Sequence, residues 1–219
     1  MSIESEQRIV PPKTVSQEEE QAMSDETVAR YFSDLGLEWK NLEGKKILEI
    51  GAGLATFAKE AQRRGIEVVS LEKEPELWTS EGPPPQDVQY VKGDAEKLPF
   101  ADESFDMIIS IAAPPIISKT KEEIRAVIGE ARRVLKSGGE FRFGPAGLIG
   151  GIFDATELFT PEEKVKLSQE ERRARANQES LEFLQTVDHT ITEEGTSAED
   201  VAGKFSRPYY VLRKPIGQK

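Results

Sequence analysis

A short apolar strand, a glycine turn and an amphipathic helix follow one another at residues 46–58, in the run KILEIGAGLATFA. Gly51 and Gly53 have no Cβ, so the chain can turn sharply there and a ligand can approach the backbone closely. Apolar residues then recur at helical spacing, at Leu54, Phe57, Ala58 and Ala61. Such a helix packs one face on a sheet and directs its free N–H groups at the turn. The run therefore predicts a cofactor-binding turn at the end of a strand.

Strands and helices alternate along the chain. We predict strands at 46–50, 66–71, 88–92, 105–111, 140–144, 187–192 and 208–213. We predict helices from Asp25 to Gly36, at 54–64, from Thr120 to the glycines at 138–139, and from Thr160 to about Val187. This alternation is typical of an α/β fold, in which helices cover both faces of a doubly wound, mainly parallel sheet.

The composition limits the classes of function. The 219 residues include no cysteine and a single histidine, His189, so thiolate and histidine-cluster metal sites are excluded and we predict no metal. The net charge of −11 disfavours nucleic acid as a partner, because phosphate binding needs clustered Lys and Arg. The sequence has no apolar run of membrane-spanning length and no secretory signal pattern, so we expect a cytoplasmic protein that does not enter a membrane.

The character of the chain changes near residue 24. Residues 1–24 are acidic and poor in apolar side chains, and we expect them to form a flexible tail. Residues 25–219 are long enough to bury one core and are predicted to form a single domain.

Two carboxylates bear on the class of cofactor. Glu72 ends the second predicted strand, where a carboxylate can accept hydrogen bonds from both ribose hydroxyls of a nicotinamide cofactor or of another nucleoside. Glu49 is a charged residue in an apolar strand, two positions before Gly51. A nicotinamide fingerprint normally has an apolar residue there, whereas a cofactor with an amino group and a sulfonium favours a nearby carboxylate.

Five sequence segments between residues 44 and 145 further favour a sulfonium cofactor over a nicotinamide cofactor. They are EIGAG at 49–53, VVSLE at 68–72, GDAEKLPF at 93–100, SFDMIIS at 104–110 and ARRVLKSGGE at 131–140. In this order they resemble the class I S-adenosylmethionine (SAM)-dependent methyltransferases, particularly the type-11 group that acts on small molecules. The resemblance implies a single Rossmann-like domain with seven strands and an antiparallel last strand. It also implies SAM as cofactor and S-adenosylhomocysteine (SAH) as product.

The resemblance further implies which residues contact the cofactor. Asp94 and the next backbone N–H would lie against the adenine, and Glu72 would bind the ribose. The implied set is Glu49, Gly51, Ala52, Gly53, Glu72, Lys73, Asp94, Ala95 and Ser110.

No motif in the sequence identifies the methyl acceptor. Amino-methylating relatives have Asn or Asp before Pro-Pro and an aromatic residue after it, but residues 111–116 read IAAPPI. This departure argues against the amino group of a base or a glutamine amide as acceptor. We expect a small-molecule acceptor near Tyr31, Phe32, Ala113 and Pro114, beneath an apolar loop at 147–154. No catalytic residue can be named, since methyl transfer requires mainly positioning and exclusion of water.

Two alternatives to a methyltransferase remain open. The first is a SAM-binding protein of the same fold without catalysis, because the segment at 112–113 carries no reactive side chain. The second is an NAD-dependent oxidoreductase, which Glu49, the segment at Asp94 and the lack of an evident catalytic set all disfavour. The oligomeric state is not predicted.

Overall fold

Helices and strands alternate in the computed structural model, which describes residues 17–76, 87–145, 160–195 and 208–217. The helices are α1 (Gln17–Leu35), α2 (Trp39–Leu42), α3 (Thr56–Arg63), α4 (Lys121–Val134), α5 (Pro161–Lys166) and α6 (Gln169–Val187). The strands are β1 (Lys46–Ile50), β2 (Glu67–Glu72), β3 (Gln89–Lys92), β4 (Phe105–Ile111), β5 (Leu135–Gly144), β6 (Ile191–Glu194) and β7 (Tyr209–Arg213).

The strands form one seven-stranded sheet in the order β3-β2-β1-β4-β5-β7-β6. The pairs among β1 to β5 are parallel, and β7 is antiparallel to both β5 and β6. The chain moves outward from β1 to β3 and then returns to β4 on the other side of β1. A crevice opens beyond the carboxyl ends of the strands where the order reverses in this way. The predicted fold, including the antiparallel last strand, is confirmed.

Apolar side chains from the two faces of the sheet form two cores. Leu48 and Ile108 belong to the core that includes α4 and the end of α6. Ile47 and Met107, their neighbours along β1 and β4, belong to the core that includes α1 and α3. Helices therefore cover both faces, as the burial of parallel strands on both sides requires.

The first helix is longer than its apolar pattern predicts. α1 begins at Gln17 rather than at Asp25, and the side chain of Gln21 donates a hydrogen bond to Asp25 at 2.8 Å. Side-chain pairs four residues apart can stabilise a helical segment that has no apolar side chains. The apolar pattern therefore marks only the part of α1 that packs on the core. The helix crosses residue 24, and the division into tail and domain stays a prediction.

Later boundaries also differ from prediction. The strand expected at 187–192 is β6 at Ile191–Glu194, because α6 extends to Val187. β5 begins at Leu135, directly after α4, because Leu135 pairs with Phe105 before the register shifts to Met107 and Glu140. The helix expected from Thr160 to about Val187 is two helices. Ser168 forms a capping box with Glu171, so α6 begins there as a separate helix after α5.

Arg142 on β5 ties α1 to the sheet. Its guanidinium donates to the carbonyl oxygens of Leu35 and Gly36 at the end of α1, at 3.0 and 2.7 Å. It also pairs with Glu140 at 3.0 Å, and the two side chains are only 15% and 16% exposed. Because the last carbonyl groups of a helix have no partner within it, this cation stabilises the end of α1.

Arg142→Met is expected to lower the free energy of unfolding by about 3 kcal/mol, since it leaves Glu140 and the α1 carbonyls without their nearest donor. Urea unfolding measures this loss. Arg213→Met is the matched control, because Arg213 pairs with Glu194 and, more distantly at 4.0 Å, with Glu140, but is 48% exposed. The control should cost less than about 1 kcal/mol. Equal losses in the two variants would contradict the role given to Arg142.

Candidate functional site

The glycine turn follows β1 and is bonded to β2. The N–H groups of Gly51 and Ala52 both donate to the carbonyl oxygen of Leu71, at 2.8 and 3.1 Å. Gly51 has a φ of +69°, and a Cβ placed on it would lie 2.3 Å from the Cβ of Ala113. The turn thus lies against the loop after β4, which leaves no space for a side chain at position 51.

Ala55 stands where the resemblance places a third glycine. Its φ is +53°, it directly precedes α3, and it is fully buried. A left-handed backbone costs an alanine about 1–2 kcal/mol, so the surrounding structure must hold this residue in place.

Glu72 at the end of β2 is oriented by backbone N–H groups. Its Oε2 accepts from Gly53 at 3.0 Å, and its Oε1 accepts from Lys73 at 2.9 Å and from Glu74 at 3.2 Å. These bonds fix the carboxylate beside the glycine turn. Among these bonds Oε2 accepts only one, so it keeps the capacity to accept from a further donor.

Asp94 follows β3 and pairs with Lys73. The distance from Lys73 Nζ to Asp94 Oδ2 is 2.8 Å, and Oδ1 accepts from the N–H of Glu96 at 3.0 Å. Burial raises the pKa of Asp94, but the bonds from Lys73 and Glu96 outweigh burial and hold it below its usual value. The neighbouring Ala95 is buried. The crevice therefore has the carboxylate of Asp94 beyond β3, held in its ionised form, in addition to the side chain of Glu72 beyond β2.

The loop after β4 is held by its own buried groups. The hydroxyl of Ser110, which is fully buried, donates to the carbonyl oxygen of Pro114 at 2.7 Å. Ala112 has a φ of +48°, and its N–H donates to the carbonyl oxygen of Gly144 at 2.8 Å. Ala113 is 4% exposed. The loop therefore lies against the glycine turn with its backbone fixed.

Glu49 on β1 is a buried carboxylate close to the turn. It is 1% exposed, and it accepts from the hydroxyl of Tyr31 at 2.6 Å and from that of Ser70 at 2.9 Å. Burial raises the pKa of Glu49 to about 7, although the two hydrogen bonds oppose the rise. Burial and the charge of Glu49 also raise the pKa of Tyr31 well above its usual value, so its hydroxyl stays a donor.

Both aromatic residues expected to line the acceptor contact other rings. Tyr31 stacks on Phe57 with ring centroids 4.5 Å apart, and Phe32 meets Trp39 edge to face at 4.9 Å. These contacts place them at the interface of α1 with α2 and α3. Their role toward an acceptor stays a prediction.

Tyr90 on β3 is a site residue that the sequence analysis missed. The parallel register aligns Glu49 with Ser70 and Ser70 with Tyr90, so the three side chains form a row on one face of the sheet. The hydroxyl of Tyr90 donates to the carbonyl oxygen of Gly53 at 2.6 Å. Burial, together with the charges of Glu72 and Glu49, raises the pKa of Tyr90 to about 12. Gly53 is therefore held through its N–H by Glu72 and through its carbonyl by Tyr90, an arrangement that only the strand register could have signalled.

The sequence match to known families covers this arrangement. Residues 48–143 match the family of the methyltransferase domain. The matched segment runs from β1 to β5, and it contains the glycine turn, Glu72, Asp94 and the loop after β4. Residues 48–143 of the chain are thus similar to this family of methyltransferase domains.

Curated relatives of the methyltransferase domain match about half of the chain. The biotin biosynthesis bifunctional protein BioHC of Cellvibrio japonicus is 33% identical over 112 residues, which are 49% of this chain and 22% of the relative. A demethylmenaquinone methyltransferase of Renibacterium salmoninarum is 31% identical over 98 residues, 44% of this chain and 39% of the relative. The match thus spans less than half the length of either relative.

Solved structures show the same fold over most of the chain. A SAM-dependent methyltransferase from Mesorhizobium loti is 15% identical and has a TM-score of 0.52, over 89% of this chain and 99% of that one. At this identity the likeness concerns the fold.

Two further properties concern the described ranges alone. There, no group of three or more His, Asp or Glu side chains is placed to hold a metal ion. None of the helices described combines the length and the apolar character needed to cross a membrane. The loop at 147–154, expected to cover the acceptor, lies outside the described residues.

Gly51→Ala is expected to destabilise the protein by about 2–5 kcal/mol, from the left-handed backbone and the clash with Ala113. Gly65→Ala is the matched control, because Gly65 has a φ of +74° but nothing within 4 Å of a Cβ placed there. The control should cost about 1–2 kcal/mol.

Thermal unfolding of both variants gives the comparison. Adding Ala113→Gly to Gly51→Ala should recover part of the difference, because it removes the opposing methyl group. If Gly51→Ala costs no more than Gly65→Ala, the turn and the β4 loop do not approach as closely as described.

Proposed function

We propose that the chain binds SAM beyond the carboxyl ends of β1, β2 and β3, and transfers its methyl group to a small-molecule acceptor. The observation that carries the proposal is the position of the Glu72 carboxylate. Three backbone N–H groups hold it between the glycine turn and Asp94, at the edge where the strand order reverses. The match to the methyltransferase domain, which spans these positions, supports SAM over a nicotinamide cofactor.

Each part of the cofactor would meet a different strand end. The turn at 51–53, with its close backbone, would receive the carboxypropyl end of SAM. Glu72 would accept from the ribose hydroxyls, and Asp94 with the N–H of Ala95 would bind the adenine. The ion pair between Lys73 and Asp94 orients this carboxylate, so the proposed adenine subsite would need little rearrangement on binding.

The sulfonium of SAM supplies an activated methyl group when the cofactor is bound. The chain's own residues would then hold the acceptor in line with that methyl group and exclude water. Ser110, Ala113 and Pro114 lie beside the glycine turn, where the transferred group would stand. None of the three is a base, which favours an acceptor that arrives with a nucleophilic atom already deprotonated.

Small molecules are the acceptor class that the comparisons support best. By its name, one relative is a demethylmenaquinone methyltransferase, and another belongs to biotin biosynthesis. We propose that Tyr31, Phe32 and the loop at 147–154 select the acceptor, since they lie outside the segment that matches the methyltransferase domain. A cytoplasmic location stays a prediction from the sequence.

A second candidate function is binding of SAM without methyl transfer. The loop after β4 supports it, because Ala113 is buried against Gly51 and the Ser110 hydroxyl is engaged by Pro114. These contacts narrow the space between the turn and the loop.

Glu72→Ala should weaken SAM binding by roughly 10- to 150-fold, because loss of charge-assisted hydrogen bonds costs about 1.5–3 kcal/mol. Isothermal titration calorimetry measures the change. Glu67→Gln is the control, since Glu67 lies at the other end of β2 and, among the described residues, its ion pair is with Lys46. A change below about threefold in Glu72→Ala would place the ribose elsewhere.

Methyl transfer itself is tested with SAM that carries a labelled methyl group. The protein is incubated with a small-molecule extract, and mass spectrometry follows the appearance of labelled products. Products that form with the wild type but not with Glu72→Ala support the enzyme. Binding of SAM with no labelled product in any extract favours the second candidate.

A further inference from the structure

A carboxylate with no cation beside it lies under the candidate cofactor turn. In the described residues Glu49 forms no ion pair, and its hydrogen bonds come from the neutral hydroxyls of Tyr31 and Ser70. An ionised carboxylate at 1% exposure loses most of its hydration. The ionisation of Glu49 is therefore sensitive to the charge of a ligand that binds nearby.

The row Glu49, Ser70 and Tyr90 connects this carboxylate to the turn. The three residues are aligned across β1, β2 and β3, and Tyr90 bonds to the carbonyl oxygen of Gly53. Ser70 bonds to Glu49 at 2.9 Å, and Tyr90, the next residue of the row, bonds to the turn at 2.6 Å, so the carboxylate lies two strands from the residue that holds Gly53. A ligand on the turn would lie within the electrostatic field of this carboxylate.

Given the proposed function, the two forms of the cofactor differ in charge at this place. SAM carries a sulfonium, an ammonium and a carboxylate, for a net charge of +1. SAH has lost the methyl group and with it the sulfonium charge, so its net charge is zero. A positive charge favours the ionised form of a nearby buried carboxylate, and a neutral thioether does not.

We infer that Glu49 senses the charge of the cofactor: binding of SAM displaces its proton, whereas binding of SAH leaves the proton largely in place. Glu49 thereby makes the site prefer the methyl donor over the spent product. This inference rests on the proposed function and concerns the selectivity of the same site.

Other ionisable groups around Glu49 do not account for such a response. α1 contributes Tyr31 and the exposed Arg30, which pairs with Asp34, and β3 contributes Tyr90. β5 contributes Arg142, which lies in the same row but pairs with Glu140 and binds the end of α1. Glu72 ends β2 close to Tyr90. From β4 the neighbour of Glu49 is Ile109, and from α3 Phe57 stacks on Tyr31; both are apolar. α3 also carries the buried Glu60, which pairs with Arg63 and Arg64.

The direction of the pH dependence follows from the pKa of about 7 in the unbound protein. Below that pH Glu49 is protonated and must lose its proton before it can stabilise the sulfonium, so affinity for SAM falls. Between pH 6 and pH 8 the affinity for SAM should rise by up to about tenfold, because the ionised fraction rises from about one tenth to about nine tenths. The affinity for SAH should change much less.

The experiment is calorimetric titration of the wild type with SAM and with SAH at pH 7, in phosphate and in Tris. These buffers differ in ionisation enthalpy, so the difference in observed heat counts the protons released. We expect release of about half a proton with SAM and clearly less with SAH. Glu49→Gln, which keeps the shape but cannot ionise, should abolish the release and level the pH dependence.

Two variants complete the design. Ser70→Ala removes one donor to Glu49, so it should move the rise in SAM affinity to higher pH, and it serves equally if Glu49→Gln does not fold. Glu193→Gln is the control, because burial also raises the pKa of Glu193 but it lies on β6, away from the turn. Its proton release should match the wild type.

Equal proton release with SAM and SAH, or undiminished release in Glu49→Gln, would overturn the inference and leave the proposed function standing. Failure of the wild type to bind either compound would overturn both.

Discussion

β1 is hydrogen-bonded to β2 on one side and to β4 on the other. From β2 the sheet continues outward to β3, and from β4 it continues outward to β5 on the opposite side. Because β1, β2 and β4 are parallel, their carboxyl ends meet at one edge. The glycine turn, Glu72 and the loop at 112–116 come together for this reason alone, although they are distant in sequence. The contacts between the turn, Glu72 and this loop therefore depend on the reversal of the strand order at β1.

The middle strands of the sheet carry polar side chains on both faces, where apolar ones would be more stable. Ser70 and Ser110 are fully buried, and Glu49 nearly so, inside strands that are otherwise apolar. Burying such groups costs free energy unless each finds a hydrogen-bond partner, and here each does. Ser110 holds the loop after β4 by its bond to Pro114. Glu49 and Ser70 lie under the turn, where the proposed cofactor would bring positive charge.

The parts of the fold and site that the sequence predicted are those set by local chemistry. β1 and β4 have the predicted bounds because β1 ends at the glycine turn, and the run of β4 begins after Ser104 and stops before the segment AAPP at 112–115. Gly51 was predicted because a tight turn favours a residue without a Cβ. Glu72 was predicted because it is an acidic residue at the end of an apolar strand. Ser70, Tyr90 and Arg142 were missed since their partners are set by strand register and by the docking of α1, which no short stretch of sequence contains. Ser168 could have been recognised, because Glu171 follows it at capping-box spacing.

Ala55 has a further consequence for how the turn forms. A glycine at this position would adopt the left-handed backbone without strain, but it would also sample many more conformations in the unfolded chain. The alanine narrows that unfolded ensemble, and its methyl group is buried among the core residues of α1 and α3. Formation of the turn therefore loses less entropy and gains packing, in exchange for local strain. The first turn of α3 is thus fixed to the hydrophobic core, and movement of the turn would require the core to loosen with it.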